Sequence, residues 1–252
     1  MEYRSVKAGQ GWRWIADAFT IFKKNPPIWM VLFVLYFVIL LGITMIPLLG
    51  LVVPNLLQPI FIAGLMMGCR DLEKGQELEV RHLFAGFMHN TGQLLTIGAL
   101  MLVGGVLVAG LTMLAGGGTM LGAVALNGMM GGQPPDVPVG AMGSITVALL
   151  VALMLLTPLL MAYWFAPVLV FFHDMPAPQA MLLSFKACLA NLWPMTVFGA
   201  VAFVLMFIGM IPFGLGMLVV MPVILITIYT GYQDIFIQPL PAVPTEEPSP
   251  FA

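Results

Sequence analysis

Charge is what this chain has least of. Only 8% of its residues are Asp, Glu, Lys or Arg, against about 25% in a soluble domain. No soluble fold of this size covers its surface with so few charges. A bilayer removes that requirement, because there the outside of a protein is as apolar as the inside. Cysteine is nearly absent as well: Cys69 and Cys188 are the whole complement, which excludes a disulfide framework. Serine and histidine number four and three, few for a hydrolase. A net charge of −2 leaves no basic surplus for nucleic acid. No G-x-S-x-G, H-E-x-x-H, Walker or Rossmann pattern occurs. The first 27 residues mix Arg4, Lys7, Arg13, Lys23 and Lys24 with Asp and Trp, and no small-residue cleavage site follows a short apolar core, so they do not read as a signal peptide.

What is abundant is apolar surface: 61% of 252 residues, with a mean hydropathy of +1.04. From Ile28 to Cys69 there is no charged side chain. Those 42 residues would make roughly 63 Å of helix, about twice a bilayer core of about 30 Å. The run is therefore two spans, with Pro47 and Gly50 marking the hairpin and Pro54 and Pro59 bending the second span. Leu192–Tyr232 repeats the pattern around Pro212, Gly214 and Gly216. Between them lie spans near 93–115 and 145–172, joined by a Gly-rich loop over 116–143. The expected fold is all-α: a polytopic membrane protein of six transmembrane helices, one membrane domain over 1–238, with an extended Pro-rich tail over 239–252. All nine Lys and Arg precede span one or lie between spans two and three or four and five. The positive-inside rule makes that side cytoplasmic and, with six spans, places both termini there. Trp29, Trp193, Tyr229 and Tyr232 fall near the cytoplasmic span ends, as an interfacial belt or as ordinary packing.

Self-similarity organises the rest. Phe19-x2-Phe22-x2-Asn25, Phe84-x2-Phe87-x2-Asn90 and Phe185-x2-Cys188-x2-Asn191 each precede a hairpin, and each is followed by a helix breaker, Pro26, Gly92 or Pro194. Each hairpin ends in an aspartate: Asp71, Asp174 and Asp234. The expected units, about 10–72, 80–175 and 179–236, each join an interfacial amphipathic helix to a transmembrane hairpin. In the first, Trp12, Ile15, Phe19 and Phe22 form an apolar stripe. Asparagine ends each amphipathic helix, because it tolerates the left-handed conformation and caps free backbone groups.

Gly11-Trp12-x-Trp14, Phe22-Lys23-Lys24-Asn25-Pro26, and Phe165-Ala166-Pro167 through Asp174, followed by Gln179-Ala180-x3-Ser184-Phe185, resemble an uncharacterised proteobacterial family of inner-membrane proteins. More distantly the chain resembles YciC-like proteins and the membrane domains attached to some glycerophosphodiester phosphodiesterases. The resemblance covers nearly everything except the 116–143 loop and the tail. It implies a fold and a bacterial inner membrane and supplies no activity.

The candidate contact residues, for a protein partner or the membrane interface, are Trp12, Trp14, Phe19, Phe22, Asn25, Phe84, Phe87, Asn90, Phe185 and Asn191. Asp71, Asp174 and Asp234 form a candidate polar ring at the helix ends, against which stands plain capping. Spacing among the Cys, His and Asp residues matches no metal motif, and no cofactor is expected. Gly64-x3-Gly68 and Gly105-x3-Ala109 permit close helix approach. No ionisable residue falls inside the hydrocarbon spans, where ion-coupled transporters and intramembrane enzymes place them. The expected role is non-enzymatic: a subunit, scaffold or assembly factor of a membrane complex, with the bilayer and other membrane subunits as partners. The alternative is a permease-like facilitator for a small or lipid-like solute. It would require Asn55, Gln58, Thr157 and Thr227 to face one cavity.

Overall fold

The computed structural model describes residues 1–118, 139–211 and 213–237. Most of the 116–143 loop, Pro212 and the 239–252 tail lie outside the described residues. Elements run in the order α1 (Gln10–Lys24), α2 (Pro26–Thr44), α3 (Leu49–Glu73), the 3-10 segment η1 (Val80–Phe87), α4 (Thr91–Thr112), α5 (Val139–Trp164), α6 (Ala166–His173), α7 (Ala177–Ala190), α8 (Leu192–Met210) and α9 (Met217–Phe236). Among the described residues there is no strand. Six stretches are long and apolar enough to cross a membrane: Pro26–Thr44, Leu49–Glu73, Thr91–Gly116, Gly143–His173, Leu192–Met210 and Met217–Phe236.

Prolines punctuate the chain where the missing N–H costs least. Pro26 and Pro27 open α2, in the first turn where no intrahelical partner exists. In the first hairpin Leu48, rather than a glycine, takes a positive φ of 67°, and the Leu49 N–H closes the turn on the Pro47 carbonyl at 2.8 Å. Gly50 is needed there for space, since a side chain would run into the Thr44 carbonyl at 2.4 Å.

The fourth span breaks near its C-terminal end, between Trp164 and Ala166. Pro167 has no N–H, and the chain turns at Phe165 to start α6. A hydroxyl from α7 repairs the break: the Phe165 N–H donates to Ser184 Oγ at 3.0 Å, and Ser184 Oγ donates to the Met161 carbonyl at 2.7 Å. Ser184 thus inserts into the ladder where a direct Phe165–Met161 bond would have stood.

Packing is concentrated at the face that carries the N-terminus, here called the terminal face. The core is built by the returning helices of the three hairpins: Ile60–Met66 of α3, Ala166–Phe171 of α6 and Val223–Phe236 of α9, with Trp14, Ile15, Ala18, Ile21 and Phe22 of α1. Within their most apolar 18-residue stretches, spans Leu49–Glu73 and Met217–Phe236 bury 44% and 56% of residues, whereas the other four bury 6–22%. Phe37, Val106, Met154 and Phe207 stand exposed on those four, as suits helices facing hydrocarbon.

Three short segments, α1, η1 and α7, pack against the spans. α1 lies against α8 and α9, η1 against α3, and α7 against α5 and α6. Small residues permit the approach: a Cβ on Gly11 would meet the Pro194 carbonyl at 2.1 Å, and one on Gly64 the His82 carbonyl at 2.4 Å. The Gly64-x3-Gly68 motif therefore seats η1, not a second span. A Cβ on Gly105 meets nothing within 4 Å.

Candidate functional site: the polar terminal face

Hydrogen bonding in this molecule collects on the terminal face, where each of the three hairpin-ending aspartates has its own network. Asp71, buried at the end of α3, lies with Oδ2 3.1 Å from His82 Nε2 of η1. The Glu79 N–H reaches His82 Nδ1 at 3.0 Å, and Glu79 in turn caps η1 through its side chain. The His82 ring thus bridges the Asp71 carboxylate and the Glu79 backbone, whose carbonyl also lies 2.9 Å from Nδ1. Asp234, at the end of α9, accepts from Trp14 Nε1 at 2.9 Å and from Arg4. Asp174 takes a left-handed conformation after α6, accepts from Asn90 Nδ2 and lies 2.8 Å from His89 Nε2. The Asn90 hydrogen bond, with the nearby His89 charge, holds the Asp174 carboxyl below its usual range. Among the described residues the three aspartates share no partner, so they sit in three separate clusters.

The asparagines divide in the same way. All three carbonyls accept the first bond of the following helix, from Trp29, Leu94 and Met195. Only Asn90 adopts the left-handed conformation, so the expected backbone role for Asn25 and Asn191 is met by other geometry. The Asn25 side chain makes no cap hydrogen bond. Asn191 is buried and accepts from the Val6 N–H at 2.8 Å, while its Nδ2 donates to the Arg4 and Ala187 carbonyls, both at 2.9 Å. An N-terminal strap is thereby tied down: Arg4 N–H donates to Ile235 O, and Ser5 Oγ to Ala190 O. Sequence reasoning missed this strap and also His82, Ser184 and Gln93, whose Oε1 accepts from the Ala177 N–H at 2.8 Å. Ser184 and its neighbours were visible as a motif, but nothing local signals their partners.

The aromatic candidates are not one surface. Trp14 and Phe22 are buried in the core, while Trp12 and Phe19 are 54% and 43% exposed. The expected α1 stripe is split, because α1 is apolar on two faces and the one bearing Trp14, Ala18 and Ile21 packs inward. Phe84 and Phe87, one 3-10 turn apart, both set edges against Phe61 at 6.1 and 5.6 Å. Phe185 is half-buried. Of the expected belt only Trp193 is exposed; Trp29, Tyr229 and Tyr232 are buried. Tyr229 donates to Glu73 Oε2 at 2.8 Å, and Tyr232 lies 2.7 Å from His173 Nε2.

A cavity of about 600 Å³ opens on this face beneath the strap, lined by Arg4, Arg13, Asp17, Lys24, Glu73 and Asp234 among others. Its charges are mixed and partly paired, a description of a solvated polar recess rather than a site for one charge sign. Among the described residues no group of three or more His, Cys, Asp or Glu could hold a metal ion. The span residues set aside for a solute path are scattered. Asn55 and Thr157 are exposed and bond their own helices, to the Leu51 and Leu153 carbonyls, Thr227 is buried and bonds Ile224 O, and Gln58 lies beside Tyr36.

Fold and surface define an all-helical integral membrane protein. A Burkholderia thailandensis protein named as a probable inner membrane protein is 30% identical to this chain over 211 residues, which cover 81% of this chain and 76% of the relative. The chain belongs to the family of that inner-membrane protein. This kinship agrees with the inner-membrane family read from the sequence motifs, and lends nothing to the YciC-like or phosphodiesterase resemblances. No family model and no solved structure matches the chain.

Proposed function

We propose that this chain is a non-enzymatic protein of the bacterial inner membrane that works through contact, as a subunit, scaffold or assembly factor of a membrane complex. Both termini and the polar face lie in the cytoplasm on this reading, as the placement of Lys and Arg supports. The observation that carries it is the distribution of chemistry. The three aspartates and Asn191 are hydrogen-bonded on one face, while Asn55, Gln58, Thr157 and Thr227 do not converge on a path across the bilayer.

The architecture we propose for this role is three repeated units. Its support is the packing pattern: each lead segment lies against the hairpin of the unit before it, and α1 lies against the hairpin of the third. Two aspartates follow the same rule, Asp71 meeting His82 of the next lead segment and Asp234 meeting Trp14 of the first. The middle unit departs, since Asp174 meets Asn90 of its own unit.

Exposed aromatics on the lead segments, Trp12, Phe19, Phe84 and Phe87, are the proposed contact points. A photo-crosslinking residue at position 12 or 19 tests this in cells. A discrete adduct with one other membrane protein is expected, absent when the crosslinker replaces Lys186. Adducts with lipid alone at every position would overturn the contact role.

A further inference from the structure

Arg70 stands apart from the partnered cations of the terminal face. Arg4 pairs with Asp234, Arg81 with Glu79, and Lys24 donates to the Leu72 carbonyl. Arg70 is half-buried in the last turn of α3, and its Nε is buried without a hydrogen-bond partner. Among the described residues no carboxylate forms an ion pair with it. The adjacent acids are engaged elsewhere, Asp71 with His82 and Glu73 with Tyr229 and Gln233. Its guanidinium lies 4.6 Å from the centre of the Phe172 ring, which stabilises the cation but accepts none of its N–H bonds. A buried donor left unmade is costly, and more so in a charged group.

Beside it is a cavity of about 360 Å³ between α3, η1 and α6, with Arg70 and His89 at its polar side and Met67, Met88, Phe171 and Phe172 as apolar wall. His89 lies 2.8 Å from Asp174, whose carboxylate also accepts from Asn90, so that acid is already compensated. We propose that this cavity binds a phosphate group and that Arg70 is its ligand. The guanidinium fork matches phosphate oxygens in geometry as well as charge. The apolar wall of thioethers and rings fits a phosphate that carries a hydrocarbon chain, and the last turn of a membrane-spanning helix lies at headgroup depth. A phospholipid headgroup is therefore the occupant the walls favour, with free phosphate as the other source of the same chemistry. This site stands independently of the contact role.

Native mass spectrometry on the full chain in a non-ionic detergent tests it, with dihexanoyl-phosphatidylglycerol, dihexanoylglycerol and inorganic phosphate as probes. The phospholipid is expected to bind and dihexanoylglycerol not to. Affinity should fall at least about tenfold in Arg70→Gln, the loss of a charge-assisted hydrogen bond, and stay unchanged in Lys186→Gln. Phospholipid binding that millimolar phosphate does not displace assigns the site to a lipid. Inorganic phosphate binding that Arg70→Gln abolishes assigns it to the free ion. Ala85→Phe fills the same cavity without touching the charge and should also abolish binding, which keeps the test open if Arg70→Gln does not fold. Equal binding to wild type and to either folded variant, or equal binding of dihexanoylglycerol, overturns the proposal.

Discussion

Gly64→Ala puts the most weight on the least chemistry. The new Cβ would lie 2.4 Å from His82 O and 2.7 Å from Leu83 O, both backbone atoms. Carbon–oxygen contacts settle at about 3.3–3.6 Å, so η1 must back away by about 1 Å. A shift of that order takes the His82–Asp71 contact from 3.1 Å past hydrogen-bonding range and leaves a buried carboxylate unpaired. Overpacking costs about 1–3 kcal/mol, and loss of a hydrogen bond to a charged group about 1.5–3 kcal/mol. Alanine's helix preference returns about 1 kcal/mol, for a net loss of about 3 kcal/mol. Unfolding in mixed micelles by added dodecyl sulfate, followed by tryptophan fluorescence, measures it. Gly105→Ala, with open space around its Cβ, is the control and should be neutral or stabilised by up to about 1 kcal/mol. In a His82→Ala background the Gly64→Ala penalty should shrink by the share of the lost hydrogen bond. A Gly64→Ala protein within about 0.5 kcal/mol of wild type, the range of inconsequential substitutions, would refute this reasoning.

Further tests follow from the asparagines, cysteines and Asp174. Asn191→Ala removes three hydrogen bonds from a buried site and should cost about 2–3 kcal/mol, whereas Asn25→Ala should cost less than about 0.5 kcal/mol. The same detergent titration separates them. Burial pushes the Cys188 thiol up to about 12, so at pH 8 about 1 in 10,000 molecules carries the thiolate. Maleimide should leave the native protein unlabelled and modify it after denaturation; rapid labelling of the native state would contradict that burial. Asp174 is held below the usual carboxylate range in the folded state. Its contribution is thus present above that range and lost as pH falls through the folded value. Asp174→Asn should flatten the acid limb of the stability profile, and an unchanged limb would count against the Asn90–Asp174 interaction.

Much of this architecture was legible because membrane folds announce themselves through run length. Two charge-free stretches and their breakers placed four spans, and the 3.6-residue and three-residue spacings placed the segments before them. The unforeseen features are long-range. Arg4 and Asp234 are 230 residues apart, and no local pattern links them. Ser184 mends the break at Phe165 from a different helix. Spacing put Trp12, Ile15, Phe19 and Phe22 on one stripe of α1, but packing beside α8 and α9 buries Ile15 and Phe22 together with Trp14 and Ile21 and leaves Trp12 and Phe19 exposed. Trp29 looked like a belt residue by position and is buried by geometry. The small-residue motifs show the same limit, since Gly64 and Gly105 differ only in what lies across from them.

The contact role meets its most direct test in extraction of the native protein from its own membrane in mild detergent, native-gel separation, and mass spectrometry of the band. The account predicts a complex of fixed composition in which this chain is present at a constant ratio to one or more other membrane proteins. A monomer or homo-oligomer without partners, which moves a solute when reconstituted alone in proteoliposomes, would contradict it.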